Sequence, residues 1–371
     1  MEKLRVGVIG YGLRGHLAKR WHQPEEGGRS VITAFSELDE ALIEKFKAEI
    51  TADCFITKDY HELLAREDVD AVAILTEDWK HHQHALDAFK AGKHVFLEKP
   101  MAISIEDCDD IIKTWQATDL KLMIGFNMRY MPMFQTMKQY IDQGAIGEVK
   151  AIWCRHFVGR GGRYYYQDWH RNSKYTNSLL LQKGSHDIDV IHMLGNSYTK
   201  KVSAFGSLDF YNDRKNFEVD GLKDEWDIPI DVEDNNVLIM ELENGIKASY
   251  LQCHFTPDYH RNYVVIGTKG RMENSMPDNT ITIKSRNTAA LHDQSDVVIQ
   301  MKPTVGGHSG GDIRIATSFV NYILDGKLPD VTPHDGRMSV AVGCQATDIL
   351  RRGGGMAEIP EAAYDLNDLK R

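Results

Sequence analysis

Cysteine is scarce in this chain, and positive charge is in deficit. The five cysteines, at positions 54, 108, 154, 253 and 344, are scattered over 371 residues with no Cys-x-x-Cys pair. An odd, dispersed count argues against a disulfide framework and reads as reduced thiols in a cytoplasmic protein. Lys and Arg number 44 against 54 Asp and Glu, a net charge of −10. Nucleic acid and anionic membranes both require a basic footprint, so neither is expected as a partner. No apolar run approaches the roughly 18 residues of a membrane span. The first strand pattern starts at Leu4, so a signal peptide is not expected. Internal repeats, low-complexity tracts and long linkers are likewise missing, which leaves an ordinary globular chain with 42% hydrophobic and 26% charged residues.

A chain of 371 residues exceeds the size at which one core usually stops growing, so two domains are expected. Residues 1–125 alternate apolar runs of strand length with helical stretches, the pattern of a parallel, doubly wound sheet. Beyond residue 126 the strand signals follow one another with little helix between, which predicts a mostly antiparallel sheet. The fold class is therefore α/β. A Rossmann-type parallel sheet over 1–125 precedes an α+β domain for substrate binding and oligomerisation over 126–371. An uncovered apolar face on the second sheet predicts a homo-oligomer, a dimer or tetramer.

The chemistry-bearing words sit at strand ends. Leu4-Arg5-Val6-Gly7-Val8-Ile9 reads as a buried strand and runs into Gly10-Tyr11-Gly12-Leu13-Arg14-Gly15, with a helical stretch over Leu17 to Trp21. Strand, Gly-x-Gly-x-x-Gly and helix form the dinucleotide fingerprint. The first glycine permits the turn, the second lets the backbone approach a pyrophosphate, the third allows close packing, and a helix N-terminus faces the phosphates. At the end of the second strand stand Ser36 and Glu37. Glu37 would repel a 2′-phosphate, and no Arg or Lys stands in that turn, so NAD is favoured with NADP still possible. Further words follow: Thr76-Glu77-Asp78-Trp79-Lys80-His81, Ala91-Gly92-Lys93-His94-Val95 leading to Glu98-Lys99-Pro100, Gly125-Phe126-Asn127-Met128-Arg129-Tyr130, and Gly184-Ser185-His186-Asp187-Ile188-Asp189.

In that order the words resemble the glucose–fructose oxidoreductase/inositol dehydrogenase family, often written Gfo/Idh/MocA. The resemblance runs from about residue 4 to about residue 352. It implies an NAD(P)-dependent dehydrogenase that moves a hydride between the nicotinamide and a secondary hydroxyl of a sugar, sugar derivative or cyclitol. It implies catalytic roles for Lys99, whose ammonium would bond the reacting hydroxyl, and for His186 as proton acceptor. It also implies cofactor contacts from Gly10, Tyr11, Gly12, Leu13, Arg14, Gly15, Ser36, Glu37, Thr76, His81, Glu98, Lys99 and Asn127. The chain departs from the family where an aspartate precedes the histidine by one helix turn. Gln182 stands there, able to orient an imidazole but not to carry charge, and Lys183 adds a second cation.

The segment Arg155 to Arg171 mixes aromatics, glycines and forked donors, a composition suited to a polyhydroxylated ring and equally to a surface loop or subunit contact. His156, Tyr166 and His170 are its substrate candidates, with Lys99, Lys183 and His186. Gly306-Gly307-His308-Ser309-Gly310-Gly311-Asp312 precedes a helix, and it is either a connector or a way to bring His308 into the same pocket. His81, His82 and His84 do not share one helical face, and no Cys or carboxylate cluster supports them, so no metal is expected. Two alternatives stay open: a redox-neutral NAD-dependent glycosidase or lyase working through a transient keto-sugar, and a non-catalytic nucleotide-binding regulator.

Overall fold

The computed structural model describes residues 3–219, 221, 227–286, 295–304 and 306–369. The chain forms two compact units that are not contiguous in sequence. The first comprises residues 1–130 with 306–337 and 362–371, and the second comprises 131–305 with 338–361. A cut at 125/126 does not anticipate the return of 306–337 to the first unit. That return is made by a long amphipathic helix.

The first unit is a six-stranded parallel sheet of β1 (Leu4–Ile9), β2 (Ser30–Ser36), β3 (Phe55–Thr57), β4 (Ala71–Ile74), β5 (His94–Leu97) and β6 (Leu122–Ile124), in the order β3-β2-β1-β4-β5-β6. Its central strands are apolar because both faces are covered. Helices α1 (Glu40–Glu49), α2 (Tyr60–Leu64), α3 (His81–Lys90) and α4 (Ile105–Gln116) connect them. Asp39 caps α1 and Ser104 caps α4 with their side-chain oxygens. Strand order reverses between β1 and β4, and in open α/β sheets ligands bind at such a switch point, outside the carboxyl ends of the strands. The segment after β1 differs from expectation. Gly15–Arg20 is a six-residue 3-10 helix and not an α-helix. Pro24 and the Gly27-Gly28 pair lie just beyond, so the helix cannot lengthen.

The second unit opens with α5 (Pro132–Asp142) and is built on a nine-stranded sheet of β7 (Val149–Val158), β8 (Thr199–Ser207), β9 (Asn235–Leu242), β10 (Lys247–Cys253), β11 (Tyr259–Gly267), β12 (Gly270–Ser275), β13 (Thr280–Ser285), β14 (Val297–Gln300) and β15 (Ala357–Glu358). The order is β14-β13-β12-β11-β7-β10-β9-β8-β15, and β10 pairs parallel with β7 within an otherwise antiparallel sheet. Polar β12 escapes sequence reading because its strand character comes from its neighbours' ladders. The single helix expected over Leu179 to Leu194 is two, α6 (Leu179–Gln182) and α7 (Gly184–Gly195), and α7 packs on β7 and β10. The polar stretch 209–235, read as a loop or arm, lies partly outside the described residues. Its described ends bury Tyr211, Phe217 and Val232 in a small core with Val158, Tyr165, Tyr166 and Leu179. Helices α8 (Gly311–Asp325) and α9 (Pro333–Arg351) precede β15, α8 packing on Gly15–Arg20 and β1 in the first unit. Among the described residues, no helix is long and apolar enough to cross a membrane.

Candidate functional site

The parallel sheet delivers the fingerprint loop, Ser36-Glu37, Thr76, Glu98-Lys99 and Asn127 to its carboxyl edge, one from the end of each of β1, β2, β4, β5 and β6. The glycines of the loop have separate reasons. Gly10 has φ +89°, and a Cβ there would lie 2.7 Å from the Thr76 side chain. A Cβ on Gly15 would enter the Tyr11 ring at 2.6 Å. Gly12 has nothing within 4 Å, so its backbone is open to a ligand. The Tyr11 side chain, read as a cofactor contact, is buried between Phe35 and Phe46 and donates to Glu49 at 2.9 Å. Its ring builds the core under the loop, so any contact of Tyr11 with a cofactor falls to its backbone. Leu13 is exposed.

Glu37 accepts from the backbone N–H of Tyr11 at 2.8 Å and from those of Leu38 and Asp39 at 2.7 and 3.1 Å. This ties the carboxylate to the loop, at the β2 end where ribose selectivity is set. Ser36 is buried, and its carbonyl accepts from Gly10 N–H at 2.9 Å. His81 is sealed from solvent, with Nδ1 2.7 Å from the Pro100 carbonyl and Nε2 3.1 Å from that of Thr76. Burial keeps its pKa below the usual imidazole value. It clips the β4 and β5 ends together rather than facing a ligand. Glu98 and Lys99 are both buried, and the Lys99 N–H donates to the Glu98 carboxylate at 3.0 Å.

Arg14 and Asp312 organise this edge. Arg14 Nε donates to Glu98 at 2.7 Å, and its Nη2 donates to Asp312 at 3.0 Å. Asp312, from the return segment, also accepts from Asn127 Nδ2 at 2.8 Å and meets His308 Nδ1 at 3.0 Å and His16 Nε2 at 3.4 Å. Burial pushes the Asp312 carboxyl up, but the bonds from His16, His308 and Arg14 outweigh it and hold the group well below the usual range. His16, His308 and Asp312 bring ligand-type atoms within 4.8 Å of one another, a metal-like cluster no sequence spacing announces. The Arg14 guanidinium fills the cation's place, its Nη1 3.4 Å from His16, 3.3 Å from His308 and 3.4 Å from Asp312. His81, His82 and His84 turn to different partners, the Pro100 and Thr76 carbonyls, Asp110 and the Thr76 hydroxyl. Asn127 Oδ1 is a buried acceptor with no hydrogen-bond partner among the described residues. That acceptor and the open backbone at Gly12 both fit a dinucleotide laid along the strand ends.

In the second unit, His186 and Gln182 are buried on consecutive helices, one helix turn apart, and Lys183 between them stands with its ammonium over the Tyr165 ring at 5.6 Å. Next to His186, Asp187 points into the sheet. It accepts from Tyr250 at 2.8 Å, from Arg261 Nη2 at 3.0 Å and from Tyr263, with His156 Nδ1 at 3.0 Å. His156 is pushed down to about 3, first by burial and then by the Arg261 charge. It is neutral, with Nδ1–H donated to Asp187. His156, Tyr166 and His170, read as substrate contacts, are all withdrawn from solvent. Tyr166 stacks on Tyr211, and His170 stacks on Trp169 and bonds Asp168 at 2.6 Å. Aromatic bodies gain more by filling this core than by lining a wet surface. Arg261, Tyr250 and Asp312 were not singled out from sequence; only the His308-to-Asp312 word hinted at the last.

Comparison with known proteins agrees with this layout. The family model described as an oxidoreductase family with an NAD-binding Rossmann fold matches residues 4–126, and the GFO/IDH/MocA C-terminal domain matches residues 134–273. Myo-inositol 2-dehydrogenase of Thermotoga maritima is 24% identical over 353 residues, 94% of this chain and 96% of that one. A 2,7-anhydro-N-acetylneuraminate hydratase of Mediterraneibacter gnavus is 26% identical over 289 residues, 76% of this chain and 70% of that one. The solved structure of levoglucosan dehydrogenase with NADH and levoglucosan superposes with a TM-score of 0.83 at 19% identity, covering 97% of this chain and all of that one. At that identity the likeness speaks for the fold.

Proposed function

This chain belongs to the Gfo/Idh/MocA oxidoreductase family, and from that premise we propose that it oxidises a secondary hydroxyl of a sugar or cyclitol with NAD, using Lys99 and His186 to handle the proton. The observation that carries the reading is the convergence of an open fingerprint backbone, buried Glu98-Lys99 and the unsatisfied Asn127 carbonyl on one sheet edge. The bound nicotinamide supplies the hydride acceptor. The chain's own residues orient and move the proton. Lys99 is buried beside the Glu98 carboxylate, which keeps it placed at the β5 end. Its ammonium bonds the reacting hydroxyl, and the His186 imidazole takes the proton. Gln182, at the end of the preceding helix, orients that ring without adding charge.

A panel of cyclitols and sugars assayed for net NADH tests the reading. Lys99→Ala should lower kcat at least about a hundredfold on whichever substrate the native protein turns over. Near-native turnover in that variant would remove Lys99 from the chemistry. A second reading, redox-neutral turnover, is favoured by the neutral Gln182 and by the hydratase among the relatives. Product formed only when NAD is present, with no net NADH, would select it.

We further propose that the second unit pairs with a copy of itself through the sheet face opposite α7. Trp153 (51% exposed) and Ile239 (59%) lie there and alternate with buried neighbours along their strands; Phe205 (69%) follows buried Ala204, and Met356 (66%), just before β15, lines the same surface as Trp153 and Ile239. A monomeric mass by light scattering at micromolar concentration would contradict pairing.

A further inference from the structure

Dinucleotide folds ordinarily turn the positive end of a long helix toward the cofactor's diphosphate. Here the fingerprint loop leads into a 3-10 helix of six residues, too short to align many peptide dipoles. Side chains stand around the loop instead. Arg14 lies within it, His16 follows, and His308 arrives from 294 residues beyond Arg14, with its Nδ1 3.3 Å from the guanidinium.

The backbone at His308 is itself unusual. His308 (φ 47°, ψ 52°) and Ser309 (φ 51°, ψ 38°) are both left-handed, and neither is glycine. Such conformations are strained in residues other than glycine and persist where the surroundings fix them, typically at ligand clamps. Asp312 does the fixing. It sits four residues on, sealed from solvent, with an oxygen 3.0 Å from His308 Nδ1. The turn wraps so closely that a Cβ on Gly307 would lie 2.2 Å from that carboxylate. Because Nδ1–H is committed to Asp312, the other ring nitrogen, on a side chain 45% exposed, is left for a ligand.

Resting on the dinucleotide reading above, we propose that His308 is a diphosphate-contacting residue of the cofactor site, presented by the return segment and positioned by Asp312. With Nδ1 held by Asp312, the ring turns its other nitrogen toward a phosphate oxygen and takes over part of the role of the missing helix dipole. Arg14 is held by Glu98 and Asp312 and supplies the neighbouring charge.

The test is titration of the full-length protein and its variants with NADH, ADP-ribose and adenosine. His308→Ala should weaken NADH and ADP-ribose roughly tenfold or more and leave adenosine unchanged, because only the first two carry the diphosphate. His308→Gly relieves the left-handed strain, so it should melt no lower than the native protein and show the same loss. Asp312→Asn should weaken NADH in the same direction, because the amide holds the His308 ring and the left-handed turn less firmly than the carboxylate does. Native NADH affinity in both His308 variants, or an equal loss for adenosine, would overturn the proposal while leaving the dinucleotide reading intact. Failure of the native protein to bind NADH would overturn both.

Discussion

Asp312 in the first unit and Asp187 in the second are chemically alike and structurally opposite. Both are sealed from solvent, and in both the neighbouring donors outweigh the upward push of burial and hold the carboxyl below its usual range. The donors to Asp187 come from strands: His156 on β7, Tyr250 on β10, Arg261 and Tyr263 on β11. Arg261 stands opposite His156, and Tyr263 opposite Cys154, in the β7–β11 ladder. Backbone register therefore fixes that cluster whether or not a ligand binds. The donors to Asp312 come from loops and strand ends: Arg14, His16, Asn127 and His308. One carboxylate holds up a sheet, while the other ties together loops and strand ends of the first unit. What a buried acid does is thus read from what carries its donors.

The largest expected effect would break the comparison on the structural side. Asp187→Ala removes the carboxylate that neutralises the buried Arg261 guanidinium and should cost about 3–5 kcal/mol in urea unfolding. NADH affinity of the folded variant should stay native. Native stability in Asp187→Ala would mean that the strand cluster holds nothing.

His186, the adjacent residue, should behave oppositely. His186→Ala is expected to lower kcat at least about a hundredfold, near 2.7 kcal/mol in barrier, with melting temperature and NADH affinity close to native. A loss confined to KM would reassign His186 to substrate binding.

A smaller effect separates the units by pH. His156 has a folded pKa of about 3, against roughly 6.5 when unfolded. Between these values the unfolded chain binds the extra proton, so stability rises with pH across the window and is lost as pH falls through it. His254 is also held well below its usual value, by burial first. Unfolding free energy measured from pH 7 to pH 4 should therefore decline, and His156→Asn should decline less steeply. An unchanged slope would show that His156 is not the titrating group.

The smallest effect is expected at Gln182. Gln182→Ala should reduce kcat by less than His186→Ala, because the amide orients the imidazole without carrying the proton. A loss equal to that of His186→Ala would make the two one functional unit.

By itself, the sequence determined the parts that depend on local pattern. Apolar runs such as Val6 to Ile9 and Ala71 to Ile74, short and bounded by turn signals, read as strands covered on both faces, and the glycines after β1 mark the turn that follows. The positions of Glu98-Lys99 and Asn127 at strand ends follow from the same alternation, so the carboxyl edge of the first unit was legible. Tertiary structure alone decided which side chains meet there. Asp312 is 298 residues from Arg14, and no periodicity links them. The 3-10 segment after Gly15 also lay beyond sequence reading, because a few residues of helical pattern do not distinguish i→i+3 from i→i+4 bonding. His156, Tyr166 and His170 carried the right chemistry for a sugar, and the structure buries all three against partners that no local pattern names, Asp187, Tyr211 and Trp169 among them. Local pattern fixes the elements because backbone sterics and hydrophobic period act over a few residues. The partners of a buried charge are fixed only when distant segments close on it.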